Sequence, residues 1–143
     1  LDLYGGVGLF AGATVDLIGP GGRIDIVEGS SSATRDAALN FEGISNIHIH
    51  TGDVAREIKK FSRADVVILD PPRTGAGKEV IERISALGAR AIIYVACDPA
   101  ALARDTTYLK EIGYHLKNLR AFDLFPMTHH IESVALYTLS KVS

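Results

Sequence analysis

Tryptophan is absent from these 143 residues, and cysteine and methionine occur once each. A single thiol excludes an internal disulfide and, with no signal-peptide pattern ahead of it, suits a reducing cytosol, the expected location. Charge of one sign is also lacking. Fifteen basic against seventeen acidic residues leave a net charge of −2, so there is no general electrostatic pull on nucleic acid, and any RNA contact has to be local or supplied by another domain. Long hydrophobic runs are missing: the longest nearly uncharged stretch, Val7–Gly22, is interrupted by Asp16 and carries several glycines and a proline. That falls short of a membrane span. Metal chemistry has little to draw on, because His48 and His50 alternate along one run and His129 and His130 are adjacent, leaving no tetrahedral set with one thiol. Repeats, linkers and low-complexity tracts are not found. What remains is the composition of one compact domain with one core, 47% apolar and 22% charged. The chain opens without methionine, directly on what reads as a core strand, and is expected to be a piece of a longer protein.

Apolar runs of strand length alternate with stretches of helical length. Strands are expected at Leu1–Tyr4, Arg23–Glu28, Ile47–Thr51, Val66–Asp70 and Ala91–Ala96, and helices at Leu9–Ile18, Ser32–Glu42, Val54–Phe61, Gly77–Leu87 and Pro99–Ile112. Five such alternations indicate an α/β, Rossmann-like domain, with right-handed crossovers and a parallel sheet covered on both faces. The end differs. His115–Asp123 and Glu132–Leu139 are extended runs with no helix between them, and should pair antiparallel at a sheet edge.

In an open α/β sheet, ligands collect beyond the carboxyl ends of the strands, where strand order reverses. Those ends carry the glycines after Tyr4, then Glu28, Asp53, Asp70-Pro71-Pro72-Arg73 and Cys97-Asp98-Pro99. Gly6-Val7-Gly8-Leu9-Phe10-Ala11 fits G-x-G-x-x-G/A between a strand and a helix, and Glu28 follows Gly8 by twenty positions at the next strand end. Glycines there let the backbone approach a ligand, and the carboxylate can bind both hydroxyls of a ribose. The pattern accommodates a dinucleotide as well as S-adenosylmethionine, and an isolated match also fits a plain tight turn. Asp2 suits a cationic amino group better than a pyrophosphate, and Asp53 can accept from an adenine amine. Together they favour S-adenosylmethionine. Asp53 equally reads as the N-cap of the helix after it.

The prolines after Asp70 make a rigid rim that would hold its carboxylate toward cofactor and substrate, with Arg73 as a phosphate or carboxylate partner; Pro-Pro also simply ends strands. Cys97 stands at a strand end one step before a helix, where the positive helix terminus favours thiolate, although a lone cysteine is more commonly a small buried apolar residue. Glu132 begins the apolar run Ser133–Leu139 and is a candidate proton acceptor or an ordinary strand start.

Asp2-Leu-Tyr-Gly-Gly-Val-Gly8, Asp70-Pro-Pro-Arg73, Tyr94-Val-Ala-Cys-Asp-Pro-Ala-Ala-Leu-Ala-Arg-Asp105 and Phe125-Pro-Met-Thr-His-His-Ile-Glu132 stand in one order and spacing. In these the chain resembles, over essentially all its length, the C-terminal catalytic domain of the RNA uracil-5 methyltransferases. The resemblance implies a class I S-adenosylmethionine-dependent methyltransferase fold, with a mostly parallel seven-stranded sheet and an antiparallel C-terminal edge hairpin. It implies methyl transfer to carbon-5 of a uridine in tRNA or rRNA, through a covalent cysteine adduct at carbon-6. Tyr4, Glu28, Asp53 and Asp70 match cofactor positions, Cys97 the nucleophile and Glu132 the base. The chain departs from the family pattern at Leu9, Asp98 and Met127. RNA is the implied partner, held by an upstream region outside these residues, with no metal or membrane. Two other classes are compatible with the glycine loop: an NAD(P)-dependent oxidoreductase and a non-catalytic nucleotide-binding module. The pairing of Cys97 with Glu132 speaks against the module.

Overall fold

The computed structural model describes residues 1–124, 127 and 131–139. Seven strands, β1 (Asp2–Leu3), β2 (Ile24–Glu28), β3 (Ile47–Thr51), β4 (Val66–Leu69), β5 (Ala91–Ala96), β6 (Tyr114–Phe122) and β7 (Glu132–Leu139), form one sheet in the order β3-β2-β1-β4-β5-β7-β6. The first five are parallel, and β7 runs antiparallel to both β5 and β6. Five helices connect them: α1 (Leu9–Thr14), α2 (Ser31–Asn40), α3 (Val54–Glu57), α4 (Gly77–Ala86) and α5 (Pro99–Glu111). Strand order reverses between β1 and β4, which places the ligand crevice beyond the carboxyl ends of those strands.

Local chemistry sets where the elements stop. The expected strand Leu1–Tyr4 shortens to two residues, because Tyr4 takes φ 59 and turns the chain into the glycine loop. The first helix ends at Thr14 rather than Ile18 and is followed by a 3₁₀ turn, Val15–Leu17. There the Thr14 hydroxyl donates to the carbonyls of Phe10 and Ala11, competing with the helical ladder. The third helix likewise closes in a 3₁₀ turn, Ile58–Lys60. α2 is capped by the Ser30 side chain, which accepts from Ala33 N–H, and α5 by Asp98, which accepts from Ala101 N–H and has Pro99 in the first turn.

Both faces of the sheet are covered, as expected, but unequally. On one face Leu3, Val27, Val67, Leu69, Ile92, Tyr94 and Tyr137 meet Val54 and Ile58, Val80, Ile81 and Ile84 of α4, and Leu102 and Leu109 of α5 in one continuous core. On the other, Ala11, Ile24, Ile26 and Ile47 form a small cluster with Phe41 against it. α1 is too short to reach further, so Ile68, Ile93, Val134 and Leu136 on this face stay only half-buried. Among the described residues, no helix is long and apolar enough to cross a membrane.

Candidate active site

The glycine loop is shaped by what lies beneath it. Gly8 has φ 90, and a Cβ there would collide with the Phe41 ring; Gly6 has φ 54 and open space where its Cβ would be. Gly8 therefore serves packing, and Gly6 leaves room for a ligand to approach the backbone. Gly6 N–H donates to Glu28 Oε2 at 3.0 Å, and Ser30 N–H to Glu28 Oε1 at 2.7 Å. One carboxylate thus ties the glycine loop to the start of α2, and each oxygen keeps a lone pair for a further donor. Asp2 sits under the loop, 1% exposed, where its Oδ2 accepts from Ala11 N–H at 3.1 Å and its Oδ1 has no partner. Burial pushes this carboxyl up to about 6, against the lowering effect of the Ala11 hydrogen bond. Leu9, one of the departures from the family pattern, is exposed at the loop's end.

Tyr4 continues from the loop into the large core as a half-buried side chain. Burial, and then the negative charges of Asp53 and Asp105, push its phenol up to about 12. Asp53 is exposed and caps α3 by accepting from Arg56 N–H at 3.1 Å, so the capping role is real and one carboxylate oxygen remains for another donor. Asp70 follows β4 on the neighbouring rim, with its backbone N–H donating to Leu3 O. Its carboxyl is raised, first by burial and then by the charge of Glu132. Arg73 is exposed three residues further along.

Cys97 and Glu132 lie at one end of the β5–β7 pair. β5 and β7 are paired from Ala91↔Thr138 to Ala96↔Ser133. Just past the last pair, Cys97 follows the end of β5 and Glu132 begins β7, so both residues stand at the same end of this strand pair. Side chains alternate along a strand, so Glu132 shares a face with Val134 and Leu136, the sparsely covered face on the side of α1 and the glycine loop. The half-buried Cys97 immediately precedes the Asp98 cap of α5. His50 is bonded to Asp25 at 2.7 Å, and His48 lies beside it in β3. Of the motif ending at Glu132, Met127 and Ile131 are exposed; Phe125, Pro126, Thr128, His129 and His130 lie outside the described residues.

One group at this rim carried no role in the sequence reading. Asp105, with no exposed surface, accepts hydrogen bonds from the Tyr94 hydroxyl, the backbone of Ala76 and Gly77, and the Arg104 guanidinium. Its partners are far apart in the chain, and its only signal in the sequence was its place in the motif that contains Cys97.

The model of the tRNA (uracil-5-)-methyltransferase family matches residues 53–140. An RNA methyltransferase of Streptomyces avermitilis, itself uncharacterized, is 50% identical over 138 residues, covering 95% of this chain and 32% of the relative. Its counterpart in Bifidobacterium longum is 43% identical, covering 96% and 33%. Among solved structures, the Pyrococcus abyssi tRNA (uracil-54, C5)-methyltransferase in complex with S-adenosyl-L-homocysteine superposes with a TM-score of 0.79 at 30% identity, over 96% of this chain and 33% of that one. Aeropyrum pernix fibrillarin with S-adenosyl-L-methionine, at 20% identity and a TM-score of 0.74, shares the fold. The chain spans about a third of the length of the curated relatives it matches.

Proposed function

Because the chain belongs to the tRNA (uracil-5-)-methyltransferase family, we propose that it is the part of an S-adenosylmethionine-dependent enzyme that methylates carbon-5 of a uridine in tRNA or rRNA. The observation that supports this reading most is the β5–β7 ladder, whose end at Ala96↔Ser133 leaves Cys97 and Glu132 at one rim, where the charge of Glu132 also reaches Asp70. Carbon-5 of uracil is a weak nucleophile, and the reaction needs a temporary covalent bond to the ring.

The thiolate of Cys97 adds to carbon-6, forming an S–C bond and moving the ring's electron pair to carbon-5. Bound in the crevice, S-adenosylmethionine supplies the electrophilic methyl group that carbon-5 accepts. The adduct then carries both a methyl and a proton on carbon-5. Glu132 takes the proton, the electron pair returns to the ring, and the C–S bond breaks to release Cys97 as thiolate.

The open space over Gly6, the free lone pairs of Glu28 and the uncommitted oxygen of Asp53 fit a nucleoside with its ribose and adenine. Tyr4, Gly6, Glu28, Asp53 and Asp70 form that cofactor side, with Gly8 and Asp2 shaping the loop from beneath. Asp70 and Arg73 lie on the substrate side. A base has to leave its stack to reach Cys97, which suits single-stranded or loop RNA. RNA affinity belongs to the whole protein rather than to a segment of net charge −2.

The test is made in the intact protein. Cys97→Ala abolishes methylation, and Glu132→Gln leaves an RNA–protein adduct that survives denaturation. Normal methylation by Cys97→Ala sinks the reading.

A further inference from the structure

The loop that carries Asp70 and Arg73 is bound along its second half to the elements on either side of Cys97. Asp105 lies on α5, about two turns beyond Cys97. Its Oδ2 accepts from Ala76 N–H at 2.8 Å, Gly77 N–H at 3.2 Å and the Tyr94 hydroxyl at 2.7 Å. Its Oδ1 accepts from Arg104 Nε at 3.0 Å and Nη2 at 2.7 Å. Arg104 Nη2 also donates to Thr74 O at 2.7 Å, and Ala76 N–H to the Tyr94 oxygen at 3.1 Å. Between these ties Gly75 sits at φ 78, where a Cβ would lie 2.5 Å from Arg104 Nη2 and 2.6 Å from Asp105 Oδ2. The loop therefore has no slack against α5. Burying a carboxylate is costly unless donors surround it, and here five do so. Three of them belong to the loop or to Tyr94, three residues before Cys97, so the cluster ties the segment just after Arg73 to β5 and α5, the elements that flank the thiol.

We infer that Asp105, acting through Tyr94, Arg104 and the Thr74–Gly77 backbone, is a positioning residue that fixes the Arg73 side of the site against Cys97 for RNA binding and attack. Asp105 is sealed from solvent, so it cannot touch a uridine; its action passes through the loop. The inference rests on the methyltransferase reading above. The glycine loop and Glu28 of the cofactor side share none of these hydrogen bonds.

Two mild variants of the intact protein test it from opposite sides of the contact. Tyr94→Phe removes one donor and keeps the ring in the core; Gly75→Ala pushes the loop away and keeps every donor. Because small misplacements of reacting groups are costly, each is expected to lower kcat/KM for RNA about tenfold while S-adenosylhomocysteine affinity by calorimetry stays within about twofold. A purely structural role would leave the kinetics of the folded enzyme unchanged and move only the melting temperature. Unchanged RNA kinetics, or cofactor affinity falling in parallel with them, overturns the inference. Cys97→Ala, run alongside, reports on the methyltransferase reading itself: turnover in that variant removes the reading whatever the two loop variants do.

Discussion

The glycine loop after β1 and the proline loop after β4 each rest on a buried carboxylate, and each turns on a glycine in the left-handed region, Gly8 at φ 90 and Gly75 at φ 78. Asp2, under the first, holds one amide and leaves Oδ1 unpartnered. Asp105, under the second, is met by donors on both oxygens. The crowding differs as well. Gly8 faces the rigid ring of Phe41, whereas Gly75 faces the polar tips of Arg104 and of the buried Asp105. Two loops with the same outline therefore have different weaknesses. The first is sensitive to volume and pH, the second to the loss of a hydrogen bond.

The largest expected effect on stability follows from the ring. Gly8→Ala combines left-handed backbone strain with overpacking against Phe41 and is expected to cost about 3 kcal/mol in urea unfolding. Gly75→Ala is expected to cost less, since the exposed loop can move off the polar tips it meets. If the two costs are equal, the contrast between ring and polar tips is wrong.

A smaller effect concerns pH. Asp2 is raised from the ordinary 3.8 to about 6 in the folded chain, so between these values the folded state binds more protons than the unfolded one. Stability therefore falls as pH rises from about 4 to about 6, by an amount on the order of 2–3 kcal/mol. Asp70 is shifted in the same direction, so the measurement is a difference between proteins. Asp2→Asn keeps an acceptor for Ala11 N–H, removes its own part of the slope and is expected to be more stable than wild type at pH 7. Parallel stability–pH curves for the two proteins would exclude a costly ionised Asp2.

The smallest effect separates Asp53 as a cap from Asp53 as a ligand. Asp53→Ala is expected to cost about 1 kcal/mol and Asp53→Ser only a fraction of that, because serine caps nearly as well. Cofactor affinity should fall in both variants. If serine restores affinity along with stability, Asp53 acts through α3 alone.

How much of this was legible depended on the range of each interaction. β3, β5 and β7 were readable to the residue, since apolar runs bounded by turn residues carry that information locally. The early end of α1 was not, because the preference of Thr14 for the carbonyls of Phe10 and Ala11 is a single hydroxyl's choice within an otherwise helical pattern. Cys97 and Glu132 could be picked out by their strand-end positions. Their arrival at one rim depends on β7 entering between β5 and β6, which no pattern within either strand specifies. Asp105 was present in a quoted motif without a function, because its loop donors lie 28 and 29 residues earlier in the chain.

Strand and helix order, the glycines at the turn and the chemistry available at each strand end were determined by the sequence alone, since each depends on a residue and its near neighbours. Which strand lies beside β5, which face of the sheet stays open and which buried carboxylate finds enough donors were decided only by the tertiary structure. Those outcomes depend on groups that meet through packing, and a linear pattern carries no record of which distant backbone amide a side chain will reach.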